Sequence, residues 1–87
     1  MGFEMVLTKK ARQDLKELDP SVAKRIVQKL LWWQRQDDPL VYARRLKEPA
    51  AGDVRFRVGD YRLIAVVKKA KRQIVIVKIG HRREIYL

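Results

Sequence analysis

Val54-Arg55-Phe56-Arg57-Val58-Gly59-Asp60-Tyr61-Arg62-Leu63-Ile64 reads as two strands joined by a two-residue turn. Gly59 stands at the first central position of that turn, where a positive φ is needed, and Asp60 completes the loop. This sets Val58 opposite Tyr61, Arg57 opposite Arg62, Phe56 opposite Leu63 and Arg55 opposite Ile64. Side chains alternate along a strand, so Val54, Phe56, Val58, Leu63 and Ala65 share a core side, while Arg55, Arg57 and Arg62 share the other. Like charges that face each other across a strand pair cost a few tenths to about 1 kcal/mol. A fold accepts that cost more readily where an anion normally sits between the cations.

Outward from the hairpin, Phe3 to Leu7 is a short apolar strand, and Thr8 can cap a helix from Lys9 to Leu18 whose buried stripe is Ala11, Leu15 and Leu18. Asp19-Pro20 starts a second helix, with Asp as the cap and Pro at the first helical position. That helix runs to about Arg35 and buries Val22, Ala23, Ile26, Val27, Leu30 and Trp33. So short a link makes the two helices an antiparallel hairpin laid across a sheet. Trp32 projects toward the polar side beside Arg25 and Gln28, either packed under the following loop or exposed for a partner. Asp37-Asp38-Pro39 ends the helix, and 39–52 is an irregular connection carrying Arg44, Arg45 and Lys47, with room for a helical turn around Leu40 to Arg44.

Lys68 to Arg72 links the hairpin to a last strand, Gln73 to Gly80. A three-residue connection is preferred, because it sends Lys78, Gly80 and, by continuation, Arg82 to the face of Arg62, with Val75 and Val77 in the core. Ile74 and Ile76 then fall on the outer face. A four-residue connection reverses all of these. The fold class expected is α+β, an N-terminal strand and a helical hairpin on a small, twisted, mainly antiparallel sheet, as one domain over 1–87.

Lysine and arginine number 21 against 10 acidic residues, a net charge of +11. The expected partner is a polyanion, with nucleic acid ahead of an acidic protein and a membrane surface last. There is no cysteine and a single histidine, which argues against a disulfide framework or a structural zinc. The apolar runs are too short to span a bilayer, and no secretory signal is visible, so a cytoplasmic protein is expected. Asp37 and Asp38 lack a third ligand at a recognisable spacing, and no Gly-rich phosphate loop or nucleophile motif is present. No cofactor or metal is expected.

Arginine suits a phosphate because its planar fork donates bidentately. In RNA the neighbouring 2′-hydroxyl can attack a phosphate held that way, so a protein that splays the nucleotide and stabilises the added charge can cleave without a metal. His81 is the one side chain that titrates near neutrality by default, and it is a candidate acid or base, or simply a ring packed at a strand end and bonded to backbone. Arg82 and Tyr86 are better placed as a phosphate ligand and a base-stacking or hydroxyl-contacting group, the alternative for Tyr86 being an ordinary terminal core aromatic.

The motifs Leu15-Lys16-Glu17-Leu18-Asp19-Pro20, Arg55-Phe56-Arg57-Val58-Gly59-Asp60-Tyr61-Arg62-Leu63 and Gly80-His81-Arg82-Arg83-Glu84-Ile85-Tyr86 closely resemble the RelE branch of the RelE/ParE toxin superfamily. The resemblance covers nearly the whole chain. It implies a toxin of a type II toxin–antitoxin system, a ribosome-dependent mRNA endonuclease that cuts the A-site codon and leaves a 2′,3′-cyclic phosphate and a 5′-hydroxyl. Carried over by position, it implies catalytic roles for Arg55, Arg57, Arg62, Arg82 and Tyr86. Arg44, Arg45, Lys47, Lys78 and Arg83 are candidate RNA or ribosome contacts. Lysines found at the first two catalytic positions in well-known members are arginines here, which stay charged and transfer protons poorly. Its partners would be the ribosome with its A-site mRNA and a RelB-like antitoxin, with no specific DNA binding without the antitoxin. The chain stops at Leu87, short of the C-terminal helix of some members, so silencing by displacement of that helix is not expected. The alternatives are a ParE-like gyrase inhibitor on the same fold and a non-enzymatic RNA- or ribosome-binding domain.

Overall fold

The computed structural model describes residues 2–47 and 52–85. Among these residues five strands form one sheet in the order β1-β5-β4-β3-β2. They are β1 (Glu4–Leu7), β2 (Arg44–Arg45), β3 (Val54–Val58), β4 (Tyr61–Lys68) and β5 (Gln73–His81), with helices α1 (Lys9–Lys16) and α2 (Pro20–Gln34) between β1 and β2. Among the described residues only β1 against β5 is parallel, and the other three pairs are antiparallel.

Local chemistry sets the boundaries of the helices. Thr8 Oγ accepts the Ala11 N–H at 3.1 Å to open α1, and Asp19 Oδ1 accepts the Ser21 N–H at 3.1 Å to open α2 behind Pro20, each satisfying a donor that the helix cannot. Asp38 does more than stop α2. Its Oδ1 accepts the Leu40 N–H at 3.1 Å and caps a 3₁₀ turn over Pro39–Tyr42.

Both helices cover one face of the sheet, and the core lies between. Ile26, Leu30 and Trp33 of α2 meet Phe56, Leu63, Ala65, Ile74 and Ile76, all nearly or fully buried, and the Trp33 and Phe56 rings lie 4.5 Å apart. Trp32 is half-buried and sits edge-on to Tyr42 of the 3₁₀ turn at 5.0 Å, with Lys29 Nζ 4.7 Å from its ring centre. Of the two readings of Trp32, packing beneath the following segment is the one observed.

The register of the β3–β4 hairpin is the one the sequence dictates, Val58 with Tyr61, Arg57 with Arg62, Phe56 with Leu63 and Arg55 with Ile64. Gly59 has φ +57° and Asp60 is not in the positive-φ region, the pattern of a type II′ turn.

The parity expected for β5 is corrected by the structure. Lys68 pairs with Gln73, so the connection has four residues rather than three, a 3₁₀ turn closed by Arg72 in the left-handed conformation. Ile74 and Ile76 are therefore fully buried in the core, and Val75 and Val77 are half-buried on the other side of the sheet. A β-bulge then restores the outer position of Lys78. Ala65 pairs with Ile76 but Ile64 pairs with Lys78, so Val77 is the extra residue and alternation shifts by one. Ile79 turns inward and Lys78 outward.

An acidic side chain of α1 pins this bulge. β1 ends opposite Ile76, so among the described residues β5 has no strand neighbour on that side beyond it. Asp14, 8% exposed, reaches into the gap and accepts the Ile79 N–H at 3.0 Å through Oδ2, while Lys10 on the preceding turn pairs with its other oxygen. α1 thus buries Asp14 where the apolar pattern alone points to Leu15 and Leu18, which are half-buried.

Candidate functional site: an arginine face on the uncovered side of the sheet

Register partners share a face, so the pairings define rows that cross the uncovered side of the sheet. One row runs Arg44, Arg55, Ile64, Lys78. The next runs Arg57, Arg62, Gly80. Two of these junctions, Arg44 with Arg55 and Arg57 with Arg62, set guanidinium-bearing residues directly opposite each other, and each costs a few tenths to about 1 kcal/mol without an anion. The first of them depends on β2, a two-residue strand that the irregular composition of 39–52 does not disclose.

The hairpin turn anchors the second row. Arg62 Nη1 donates to the carbonyl oxygens of Gly59 at 3.0 Å and Tyr61 at 3.2 Å. β5 ends at His81, and 82–85 form a turn, so Arg82 does not continue the strand as expected. It reaches the same end of the sheet by another route. Its backbone N–H donates to the Asp60 carbonyl at 2.7 Å, and its Nε lies 3.8 Å from Asp60 Oδ1. The same turn folds Ile85 over Gly80, where a Cβ would meet Ile85 Cδ1 at 3.4 Å, and Ile85 is buried there. Tyr86 lies outside the described residues.

Other candidates separate from these rows. His81 pairs with Tyr61 on the helix side of the sheet, the rings perpendicular at 5.4 Å, and its Nδ1 accepts the Arg83 N–H at 3.2 Å. It is the ring packed at a strand end, facing away from Arg62. Arg45 pairs with Val54 and so takes the face opposite to Arg44. Lys47 and Arg83 are exposed beyond the ends of β2 and β5. Among the described residues no group of His, Asp and Glu is arranged to hold a metal, and no helix is long and apolar enough to cross a membrane.

A small basic α+β protein, with a helical pair on one side of a mostly antiparallel sheet and arginine rows on the other, has the architecture of the RelE-like toxins. The chain belongs to the family described as the ParE toxin of type II toxin–antitoxin systems, parDE, which matches residues 5–86. It is 29% identical over 86 residues to Toxin RelG of Mycobacterium tuberculosis, a match that spans 99% of this chain and 98% of that protein. Its structure is similar to the toxin–antitoxin complex RelBE2 of M. tuberculosis, with a TM-score of 0.81 and 28% identity over 94% of this chain and 100% of that one. It also resembles the RelE–RelB complex of Pyrococcus horikoshii, with a TM-score of 0.75 and 22% identity over 97% and 99% of the two chains. A variant of E. coli RelE in the free state gives 0.74 and 19% over 99% and 92%. The protein is a toxin of a type II toxin–antitoxin system.

Proposed function

We infer that this toxin is a ribosome-dependent mRNA endonuclease that inhibits translation, and the observation that carries the reading is the meeting of Arg57, Arg62 and Arg82 around one hairpin turn. A scissile phosphate docked on that end of the sheet would have its charge neutralised from several directions. Attack by the adjacent 2′-hydroxyl develops further negative charge on the phosphoryl oxygens, and fixed guanidinium groups stabilise that charge without having to reorganise. Arg82, Arg62, Arg57 and Arg55 act as phosphate ligands. Arg44 and Lys78 extend the row toward flanking phosphates, and Tyr86 is assigned to stack on a base. Arg45, His81, Lys47 and Arg83 are left to peripheral roles. Because arginine stays protonated, the rate comes from positioning and electrostatics more than from proton transfer.

Phosphate contacts orient RNA but carry no sequence information. The ribosome therefore supplies the geometry that selects the cut. The same +11 charge rewards an acidic antitoxin of RelB type in both association rate and specificity, and such a partner silences the toxin by covering the arginine face or by blocking its entry to the ribosome.

The family name raises a second reading, inhibition of DNA gyrase, which would leave the arginine rows without a use. Primer extension on translated mRNA separates the two. Breaks that need the ribosome, that leave a 5′-hydroxyl and that disappear in a folded Arg82→Ala variant support cleavage. Intact mRNA together with inhibited supercoiling refutes it.

A further inference from the structure

The geometry points to Asp60 as a positioning residue for Arg82, its carboxylate occupying the place of the substrate phosphate in the free protein and yielding the guanidinium when RNA arrives. The inference rests on the nuclease reading of the arginine face and adds to it a residue of opposite charge. Arg82 follows the last strand, where no ladder holds it and where a long, rotamer-rich side chain would otherwise sample many directions. Two contacts to Asp60 confine it, the 2.7 Å bond from its N–H to the Asp60 carbonyl and the 3.8 Å approach of its Nε to Oδ1. The carbonyls on either side, of Gly59 and Tyr61, hold Arg62 Nη1. One type II′ turn thus supplies the acceptors for both arginines.

The carboxylate is suited to being exchanged. The Asp60 and Arg82 side chains are 65% and 53% exposed, and pairs of that kind add little to stability. At 3.8 Å the approach lies beyond hydrogen-bonding distance, so a phosphate that grips the guanidinium bidentately displaces it readily. Until then Asp60 keeps Arg82 aimed at the end of the arginine row and offsets its repulsion by neighbouring cations.

The test is Asp60→Asn, which keeps the turn chemistry and the backbone carbonyl and removes the charge. The melting temperature stays within about 3 °C of the parent, because an exposed ion pair contributes little. On ribosomes programmed with mRNA, KM falls two- to fivefold, roughly the worth of one exposed ion pair that RNA must break, while kcat stays within about twofold, because the carboxylate has left the guanidinium before the chemical step. The gain in affinity for programmed ribosomes vanishes when the substitution is made on Arg82→Ala, which has no guanidinium to release. A KM unchanged or raised would show that Asp60 does not hold the place of the phosphate, a loss of kcat of about tenfold would show that it is never displaced, and an undiminished gain on Arg82→Ala would reduce it to bulk charge; each overturns the inference. NMR of the Arg82 Nε–Hε group gives an arm independent of catalysis. Asp60→Asn lowers its order in the free protein, and an RNA oligonucleotide with 2′-O-methyl sugars restores it. Should the parent cleave no mRNA, the nuclease reading fails and the NMR arm still decides the pairing. An Arg82 signal indifferent to Asp60→Asn refutes the inference.

Discussion

Replacing Asp14 separates a hydrogen bond from a charge at the point where the sheet changes its alternation. In Asp14→Ala the buried Ile79 N–H loses the acceptor that now stands 3.0 Å away. β1 ends opposite Ile76 and cannot replace it. An unsatisfied buried donor costs about 1–3 kcal/mol. For a chain of 87 residues, with an unfolding entropy of about 2.1 cal/mol/K per residue, each kcal/mol lowers the melting temperature by about 5–6 °C, so a fall of about 6–16 °C is expected. Asp14→Asn keeps an oxygen for the Ile79 N–H and gives up only the pair with Lys10, whose side chain is 65% exposed. A pair of that kind is worth about 0.3–0.5 kcal/mol, so the loss is about 2–3 °C. Thermal melts by circular dichroism measure both variants, and amide exchange at Ile79 and Gly80 locates the effect, with protection lost in the alanine variant and kept in the asparagine one. Equal losses in the two variants would place the stabilisation in the Lys10 pair, and an alanine variant as stable as the parent would refute a role for Asp14 in holding the bulge.

Gly52→Ala should destabilise by about 3 kcal/mol or more, since φ is +144° there and a Cβ would stand 2.7 Å from Ile64 Cγ2 and 3.0 Å from the Ala65 carbonyl oxygen; a melting temperature within 5 °C of the parent would contradict this. Trp32→Ala should cost about 2 kcal/mol through loss of the half-buried contact with Tyr42, and Trp32→Phe about half of that, both read from chemical denaturation. Binding to unstructured RNA should weaken linearly in logarithmic salt, and Arg57→Ala should reduce the slope by about 0.7, the value for one phosphate contact on a single strand. A slope unchanged by Arg57→Ala would remove that residue from the RNA path.

The hairpin was legible because every local signal agreed. A glycine stood where the turn needs a positive φ, apolar residues alternated on both sides, and the two strands were close in sequence, so one turn fixed the whole register. The helix starts at Thr8 and Asp19 were legible for the same reason, a capping oxygen directly before an apolar periodic run. β2 was not, because two residues carry no period and their pairing with β3 depends on chain brought back across a long connection. Nor was the parity of β5. Ile74 through Ile79 offers apolar residues at both even and odd positions, so alternation alone cannot choose a face, and the choice is made by a four-residue connection ending in left-handed Arg72 and by the bulge at Val77. The position of Lys78 was read correctly although the connection length behind it was not, since two one-residue shifts cancel before that residue.

That cancellation has a physical purpose in the site. Strict alternation from Ile74 would bury Lys78 and expose Ile79, losing apolar area at about 25 cal/mol per Å² and desolvating an ammonium group. Removing the bulge without moving the connection is therefore not available to this sequence. The outward placement of Lys78 and Gly80 beside Arg55 and Arg62 rests on Val77 being extruded and on Asp14 receiving the Ile79 N–H just beyond it. The helical layer thus helps to set the composition of the arginine face from the opposite side of the sheet. A partner that loosened α1 would change that face without touching an arginine.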